Sequence, residues 1–176
     1  MFSTTRRDFI AGASATLSLP LRAIGGDAGA PRIEVEEAIY DFAPANNGAS
    51  PLWAFGSPCM VRRGDTVFVS GLDTIAGVKI LNNCRWALHR RDRDGWKRVL
   101  ADEKGLQREP CPIGLYPDGR LALSTNPTLT PRDTYNGPSD PQVLLLSSKD
   151  LRKTPAMLRP DFSGQPRLTE HTYRGL

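Results

Sequence analysis

Side-chain amides recur along the chain at positions where they could hold a sugar. Six asparagines lie in predicted loops or at strand ends, in a sequence that also offers Trp53, Trp86 and Tyr135. Amides form hydrogen bonds with sugar hydroxyls, and an aromatic ring presents a flat apolar surface to the apolar face of a sugar. Asparagine also favours turns because it tolerates a left-handed backbone, so a turn role is the alternative for each one. The six are Asn46, Asn47, Asn82, Asn83, Asn126 and Asn136.

The cysteines and histidines do not have the spacing of a metal site. Cys59, Cys84 and Cys111 include no Cys-x-x-Cys pair, and the two histidines, His89 and His171, lie far apart in the sequence. A structural zinc ion needs four such ligands at short spacings, so we expect no metal, and no motif names a cofactor. Three cysteines permit one disulfide and leave one thiol over, and we do not predict a bridge between Cys59 and Cys111.

The charge of the chain gives little support to a nucleic-acid partner. The net charge is +4, and part of it comes from arginines near the N-terminus. The densest basic run, residues 89–94, is interrupted by Asp92 and Asp94 and carries no interleaved aromatic side chains on which bases could stack. We therefore interpret this run as the solvated end of a strand and its turn, and we expect no nucleic acid to bind.

Short apolar runs separated by glycine turns predict β-hairpins. Residues 60–62 and 66–70 flank the turn Arg63-Gly64-Asp65, and the second run is rich in β-branched and aromatic residues. Residues 111–116 and 120–124 flank Pro117-Asp118-Gly119, and Asp-Gly between apolar runs is a strong hairpin signal because glycine supplies the positive φ of a tight turn.

The two hairpins resemble each other and predict an internal repeat. Each reads as a cysteine, a strand, a glycine turn, a second strand and a serine, and the second copy begins about fifty residues after the first. The first copy has two further predicted strands, at residues 84–90 and 96–100. The second copy also has two, at residues 142–147 and 157–158. Four strands in about fifty residues is the period of a β-propeller blade, so we expect Cys59 and Cys111 at equivalent places in neighbouring sheets. Two unrelated hairpins are the alternative.

The N-terminus has the features of an export signal. Arg6-Arg7 precedes Phe9 and Ile10, and a mildly apolar stretch continues to Leu21. This pattern resembles a twin-arginine leader, and the stretch is too short and too rich in small residues to span a membrane. We predict a leader over residues 1–30, no membrane anchor after its removal, and a protein that works in the periplasm or outside the cell. An accidental arginine pair on a disordered N-terminus is the alternative.

At this point the sequence resembles the sialidase-like family with BNR or Asp-box repeats, whose fold is a six-bladed β-propeller. Residues 92–96, Asp-Arg-Asp-Gly-Trp, are similar to a degenerate Asp box, and residues 82–86, 118–121 and 124–127 resemble phrases of exported bacterial members. The resemblance implies an all-β fold. At about fifty residues per blade, six blades need about 300 residues. We therefore expect an incomplete six-bladed propeller of about two to three four-stranded antiparallel blades over residues 59–176, after an irregular segment 31–58.

The resemblance also implies a set of site residues. A sialidase holds the substrate carboxylate with arginines and uses a tyrosine nucleophile activated by a glutamate. By this resemblance, Arg85 and Arg174 are candidate clamps and Glu170, His171 and Tyr173 are candidate catalytic residues. The candidate sugar contacts are Asn82, Asn83, Asn126 and Asn136. A structural ion pair is the alternative for Arg85, and a polar loop is the alternative for residues 170–173.

Three functions remain open. The first is an exported sialidase-like glycoside hydrolase, or the N-terminal part of one, acting on glycans outside the cytoplasm. The second is a propeller that binds glycans or proteins without catalysis, because the Phe-Arg-Ile-Pro signature of the family is absent. The third is an inactive truncated remnant, because the expected ring exceeds the chain. In each case the missing blades could be supplied by a longer chain.

Overall fold

Alternating apolar residues between glycine turns form two antiparallel sheets, as the sequence predicts. The computed structural model describes residues 33–49, 53, 57–79, 81–131, 134, 137–169 and 175–176, so the predicted leader lies outside the described residues. Residues 33–36 belong to a separate N-terminal unit and are exposed, and the architecture below lies within residues 37–176. Within the described ranges the protein is all-β, and no helix there could cross a membrane.

Each sheet is a four-stranded meander in which neighbouring strands follow one another in sequence. The order is β1-β2-β3-β4 in the first sheet and β5-β6-β7-β8 in the second, and every pairing is antiparallel. The strands of the first sheet are β1 Met60–Arg63, β2 Thr66–Thr74, β3 Cys84–Asp92 and β4 Gly95–Ala101. The strands of the second are β5 Ile113–Leu115, β6 Arg120–Thr125, β7 Gln142–Ser147 and β8 Ala156–Leu158.

The two hairpin turns differ by one residue, and this corrects the expected equivalence of the cysteines. In the first hairpin Arg63 pairs with Thr66 across a two-residue turn, whereas in the second the Tyr116 N–H donates to the Arg120 carbonyl (2.8 Å) across three residues. The N–H of Ser70 therefore donates to Cys59, but the N–H of Ser124 donates to Pro112. Cys111 is one position out of register with Cys59. A slip of one residue turns a side chain to the opposite face of a sheet.

The core lies between the two sheets. Phe68, Trp86 and Leu88 project from the first sheet, and alternate residues of β5, β6 and β7 project from the second. The second group consists of Ile113, Leu121, Leu123, Leu144 and Leu146, with Cys111 beside them. The first strands, β1 and β5, also lie against each other, and the Ile113 N–H donates to the Pro58 carbonyl (2.8 Å). Apolar burial between the sheets is thus the main source of stability.

Opposite faces of the two repeats meet in this core. Thr66 and Arg120 both follow their turns directly, so Phe68 corresponds to Ala122 two residues further on. Phe68 faces the second sheet, but Ala122 lies between the core residues Leu121 and Leu123 and therefore points to the outer face of its own sheet. The face of the first sheet that lies in the core is therefore not the equivalent of the face that the second sheet contributes.

An irregular segment, residues 37–49, which we call the strap, covers the outer face of the first sheet at Tyr40. Its residues 43–49 lie at the end of β2 and β3, against Thr74 and Cys84, whose side chains point to the inner face. Tyr40 lies on Gly71, where a side-chain carbon added to the glycine would come within 2.7 Å of the Tyr40 ring, and the Leu72 N–H donates to the Tyr40 hydroxyl (3.4 Å). Glu37 accepts two hydrogen bonds from Arg91 (2.6 and 2.7 Å). The strap has no helix or strand and is held by side chains.

Candidate functional site

An open cleft lies beside the second sheet, between the loop that joins β6 to β7 and the segment that follows β8. Its volume is about 550 Å³. The polar side chains that line it are Asp140, Arg159, Gln165 and Arg167, and Phe162 supplies an aromatic ring. We call it the arginine cleft. Leu129, Pro160 and Ser163 complete its walls.

Buried hydrogen bonds fix the two segments that form the arginine cleft. Ser139 is fully buried, and its hydroxyl donates to the carbonyls of Leu168 (2.9 Å) and Thr169 (2.8 Å). The Asp140 N–H donates to the Pro127 carbonyl (2.9 Å), and the Ser139 N–H donates to Leu168 (2.8 Å). Because both segments are pinned by backbone groups, the carboxylate of Asp140 has a defined position on the cleft floor.

A turn after β8 brings Phe162 and Arg167 together. The Gln165 N–H donates to the Phe162 carbonyl (2.8 Å), and Gly164 has a φ of 72°, which glycine adopts without strain. The guanidinium carbon of Arg167 lies 5.9 Å from the centre of the Phe162 ring, within the range of a cation–π contact. The turn therefore presents an aromatic ring and a cation on the same wall.

Arginines outnumber carboxylates among the side chains that line the arginine cleft. Asp140 lies 3.1 Å from Arg159 (Oδ2 to Nε) and 3.7 Å from Arg167 (Oδ1 to Nη1). The Asp140 side chain is only 15% exposed, whereas those of Arg159 and Arg167 are 56% and 50% exposed. Among the side chains that line the cleft, two guanidinium groups face one carboxylate, and the carboxylate of Asp161 lies beside the cleft, bonded to the N–H and hydroxyl of Ser163. Guanidinium groups can bind a second carboxylate through their remaining N–H donors, so the cleft suits an anion with an apolar face.

Comparisons of the chain with protein-family models, with curated proteins and with solved structures found no match. The assignment of a site therefore depends on the geometry.

The structure places four of the six predicted asparagines in the interior rather than in the arginine cleft. Asn47, Asn82, Asn83 and Asn126 are between 3% and 6% exposed, whereas Asn46 is exposed. Asn83 donates to the Ala45 carbonyl (2.8 Å) and accepts from the Asn47 amide (2.9 Å). The Asn126 amide donates to the Thr169 carbonyl (3.1 Å), which ties it to the segment that carries the cleft wall.

The remaining predicted residues fall in two groups. Arg85 of β3 pairs with Asp73 of β2 (Nε to Oδ2, 3.4 Å), and Arg98 of β4 approaches the same oxygen at 2.7 Å. This ion pair is the alternative that the sequence left open for Arg85. Asn136, Glu170, His171, Tyr173 and Arg174 lie outside the described residues.

A buried amide joins the two sheets at the same end as the predicted asparagines. Gln107 is 1% exposed, and its backbone exchanges hydrogen bonds with Cys84 (2.8 and 2.9 Å). Its side-chain oxygen accepts from the Cys111 thiol and from the Asn126 N–H, each at 3.2 Å.

Burial raises the pKa of the Cys84 thiol to about 11, so this group is neutral at ordinary pH. In the part of the chain that the structure describes, no cluster of His, Cys, Asp and Glu is arranged to hold a metal.

Sequence reasoning missed Asp140, Arg159, Phe162, Gln165 and Arg167. The turn residues Asp161, Ser163 and Gly164 do indicate a loop after β8. Nothing in the local sequence says that this loop returns to Asp140, because the contact depends on the buried bonds of Ser139.

Proposed function

We propose that this chain is part of an exported sialidase-like protein that binds acidic glycans in the arginine cleft. The observation that carries the proposal is Asp140 held between Arg159 and Arg167 on the wall that also presents Phe162. A sugar acid has a carboxylate for the remaining N–H donors of the two arginines, hydroxyls for Gln165 and an apolar ring face for Phe162. A neutral sugar would leave those donors without a carboxylate, so the cleft should prefer acidic sugars.

The packing of the sheets supports a propeller as the complete fold. In a closed ring, each blade places one face against the unlike face of the next blade, and the two sheets meet in this way. A sandwich related by two-fold symmetry would instead bring like faces together. In the proposed fold the two meanders are neighbouring blades of six, and β1 and β5 are inner strands.

Residues 170–173 are proposed as the catalytic segment. They follow Arg167 and the Thr169 carbonyl that Asn126 binds, so the chain leaves the cleft wall directly before them. In the sialidase-like mechanism Tyr173 would attack the anomeric carbon as the glycosidic bond breaks, Glu170 would take the tyrosine proton, and His171 as an acid would protonate the leaving-group oxygen. Water, with His171 as a base, would then release the sugar from Tyr173, while Arg174 would bind the carboxylate. Binding without turnover is the second candidate, favoured by the absent Phe-Arg-Ile-Pro signature. In this proposal residues 1–30 would act as a twin-arginine leader and take either activity outside the cytoplasm.

The test compares an acidic and a neutral glycoside that share the same leaving group. The chain without residues 1–30 should bind the sialoside and bind the matched neutral glycoside at least about tenfold more weakly, as expected for a hydrogen-bonded charge pair. Arg167→Ala should weaken sialoside binding by about tenfold. Arg93→Ala removes the same charge from an exposed turn of the first sheet and should leave binding unchanged.

Turnover separates the two candidate functions. Cleavage of the sialoside that is lost in Tyr173→Phe and Glu170→Gln supports the hydrolase, and binding without cleavage supports the second candidate. Equal affinity for the acidic and neutral glycosides, or binding that Arg167→Ala does not change, contradicts the proposal.

A further inference from the structure

The strap is attached to the first sheet around one buried histidine. His89 of β3 is 3% exposed, and its ring stacks on Tyr40 of the strap with a centroid distance of 4.4 Å and an interplanar angle of 6°. Its Nδ1 atom is buried and has no hydrogen-bond partner in the described part of the chain. The strongest aromatic contact of the strap therefore involves a group that gains a charge under mild acid.

The surroundings of His89 favour its neutral form. Arg98 of β4 pairs directly across from it, and Arg91 lies on the same face of β3 and is bound to Glu37 of the strap. Asp73 of β2 is the nearby carboxylate, and it already contacts Arg85 and Arg98. Burial holds the pKa of His89 below its ordinary value; Asp73 opposes this effect and Arg98 adds to it.

We propose that the strap is a pH-sensitive cover, which protonation of His89 releases from the first sheet. An imidazolium at this place would bring a second cation next to Arg98 and would leave a buried N–H at Nδ1 without an acceptor. The cation–π attraction between the imidazolium and the Tyr40 ring offsets only part of this cost. When the strap leaves, His89 becomes exposed and both ring nitrogens reach water.

The sign of the pH dependence follows from the two states. The neutral histidine is favoured while the strap is bound, so the strap is most stable above the ordinary histidine pKa and loses stability as the pH falls. If His89 titrates near 6.5 when the strap is open, opening can increase by up to about thirtyfold between about pH 7.5 and about pH 5. Glu37 keeps its charge in this range because its pKa is lowered, chiefly by its hydrogen bonds with Arg91.

Release of the strap must open the cavity beneath it. This cavity, about 150 Å³ in volume, is lined by Phe42–Asn46 and Ala49 of the strap and by Leu72, Thr74, Cys84 and Arg108. The Cys84 thiol is 2% exposed and accepts a contact from the Asn47 amide (3.6 Å). Residues 43–47 are also held by hydrogen bonds with Thr74, Asn83 and Arg108. Cys84 is thus a probe for release of the whole strap, because a reagent reaches it only when these residues move together with Tyr40.

The three cysteines give one experiment with internal controls. All three are free thiols, and they differ in position: Cys59 is half-buried, Cys84 lies under the strap and Cys111 lies in the core between the sheets. The full chain is labelled with 4,4′-dithiodipyridine, which reacts with thiols in mild acid, and each site is quantified by mass spectrometry. Between about pH 7.5 and about pH 5, labelling of Cys84 should increase relative to Cys59 by up to about thirtyfold, and Cys111 should stay protected.

Variants of His89 identify the titrating group. His89→Phe keeps a ring for stacking on Tyr40 but cannot be protonated, so the Cys84 to Cys59 ratio should no longer depend on pH. His89→Gln provides a second non-titrating side chain in case phenylalanine packs poorly, and Tyr40→Ala should expose Cys84 at every pH. Unchanged protection of Cys84 in mild acid, joint exposure of Cys84 and Cys111, or an unaltered pH response in both His89 variants would overturn the proposal.

Discussion

Replacing Gly71 by alanine should release the strap without unfolding the two sheets. A side-chain carbon at this position would lie 2.7 Å from Cζ and 2.9 Å from the hydroxyl oxygen of Tyr40. Carbon atoms do not approach so closely, so the tyrosine ring must move away. Phe68 and Leu88 face the opposite side of the same sheet and should keep their packing.

The cost of Gly71→Ala can be worked out from the contacts of Tyr40. The ring loses its stacking on His89, which contributes about 0.5–1.5 kcal/mol. Its hydroxyl loses the hydrogen bond from the Leu72 N–H, which contributes about 0.5–1.5 kcal/mol more. Alanine within a strand recovers about 0.5–1 kcal/mol relative to glycine. The free energy of unfolding should therefore fall by about 0–2.5 kcal/mol, with about 1 kcal/mol at the middle of this range.

The assay is a double-mutant cycle with Tyr40→Ala, measured by urea unfolding. Gly71→Ala should be destabilising in the natural chain and neutral or stabilising when Tyr40 is absent, because the clash is gone. Gly114→Ala is the matched control: a side-chain carbon there would meet Leu176 at 3.6 Å, an ordinary contact, so stability should rise by about 0.5–1 kcal/mol, the gain of alanine over glycine within a strand. An equal cost of Gly71→Ala in both backgrounds would refute the docking of Tyr40 on this glycine.

Three further predictions follow from other contacts. Leu123→Ala removes a fully buried core side chain and should lower the free energy of unfolding by about 2–5 kcal/mol in urea, unless the sheets do not pack face to face. Ser139→Ala removes both hydroxyl bonds to residues 168 and 169, so it should cost about 1 kcal/mol and weaken glycoside binding, and unchanged affinity would contradict the role of this anchor. The pKa of Glu37 is lowered chiefly by its bonds with Arg91, so its contribution is present above the ordinary glutamate pKa and lost as the pH falls below it. Glu37→Gln should remove the limb below about pH 4.5 from hydrogen exchange of the strap and leave the limb that His89 causes between about pH 7.5 and about pH 5; a lower limb that persists would assign it elsewhere.

The hairpins were predictable because their signals are local. Gly64 and Gly119 both have positive φ, so glycine turns between apolar runs identified the two pairs of strands and their order. The register of the cysteines was wrong because it depends on how many residues each turn leaves unpaired. The turn at Gly119 contains three unpaired residues and the turn at Gly64 contains two, so Cys111 is shifted by one position. The amino-acid composition of the turns does not reveal that difference.

The arginine cleft and the strap could not be predicted because they depend on contacts between distant segments. Tyr40 fits against Gly71 only after β2 has formed, and Asp140 meets Arg159 only when Ser139 has bound residues 168 and 169. The sequence identified the asparagines as polar candidates, but it did not distinguish an amide that binds a ligand from one that holds another segment of the chain. Asn83 and Asn126 donate to the carbonyls of Ala45 and Thr169 in the described structure.

A titration followed by nuclear magnetic resonance tests the glycan-binding claim most directly. The leader-free chain is titrated with a sialoside and, separately, with the matched neutral glycoside. We predict saturable shifts with the sialoside that are centred on Arg159, Phe162 and Arg167, reduced by added salt because the contact is ionic. Shifts that are equal for the two glycosides, or that centre on residues outside the arginine cleft, would contradict the account.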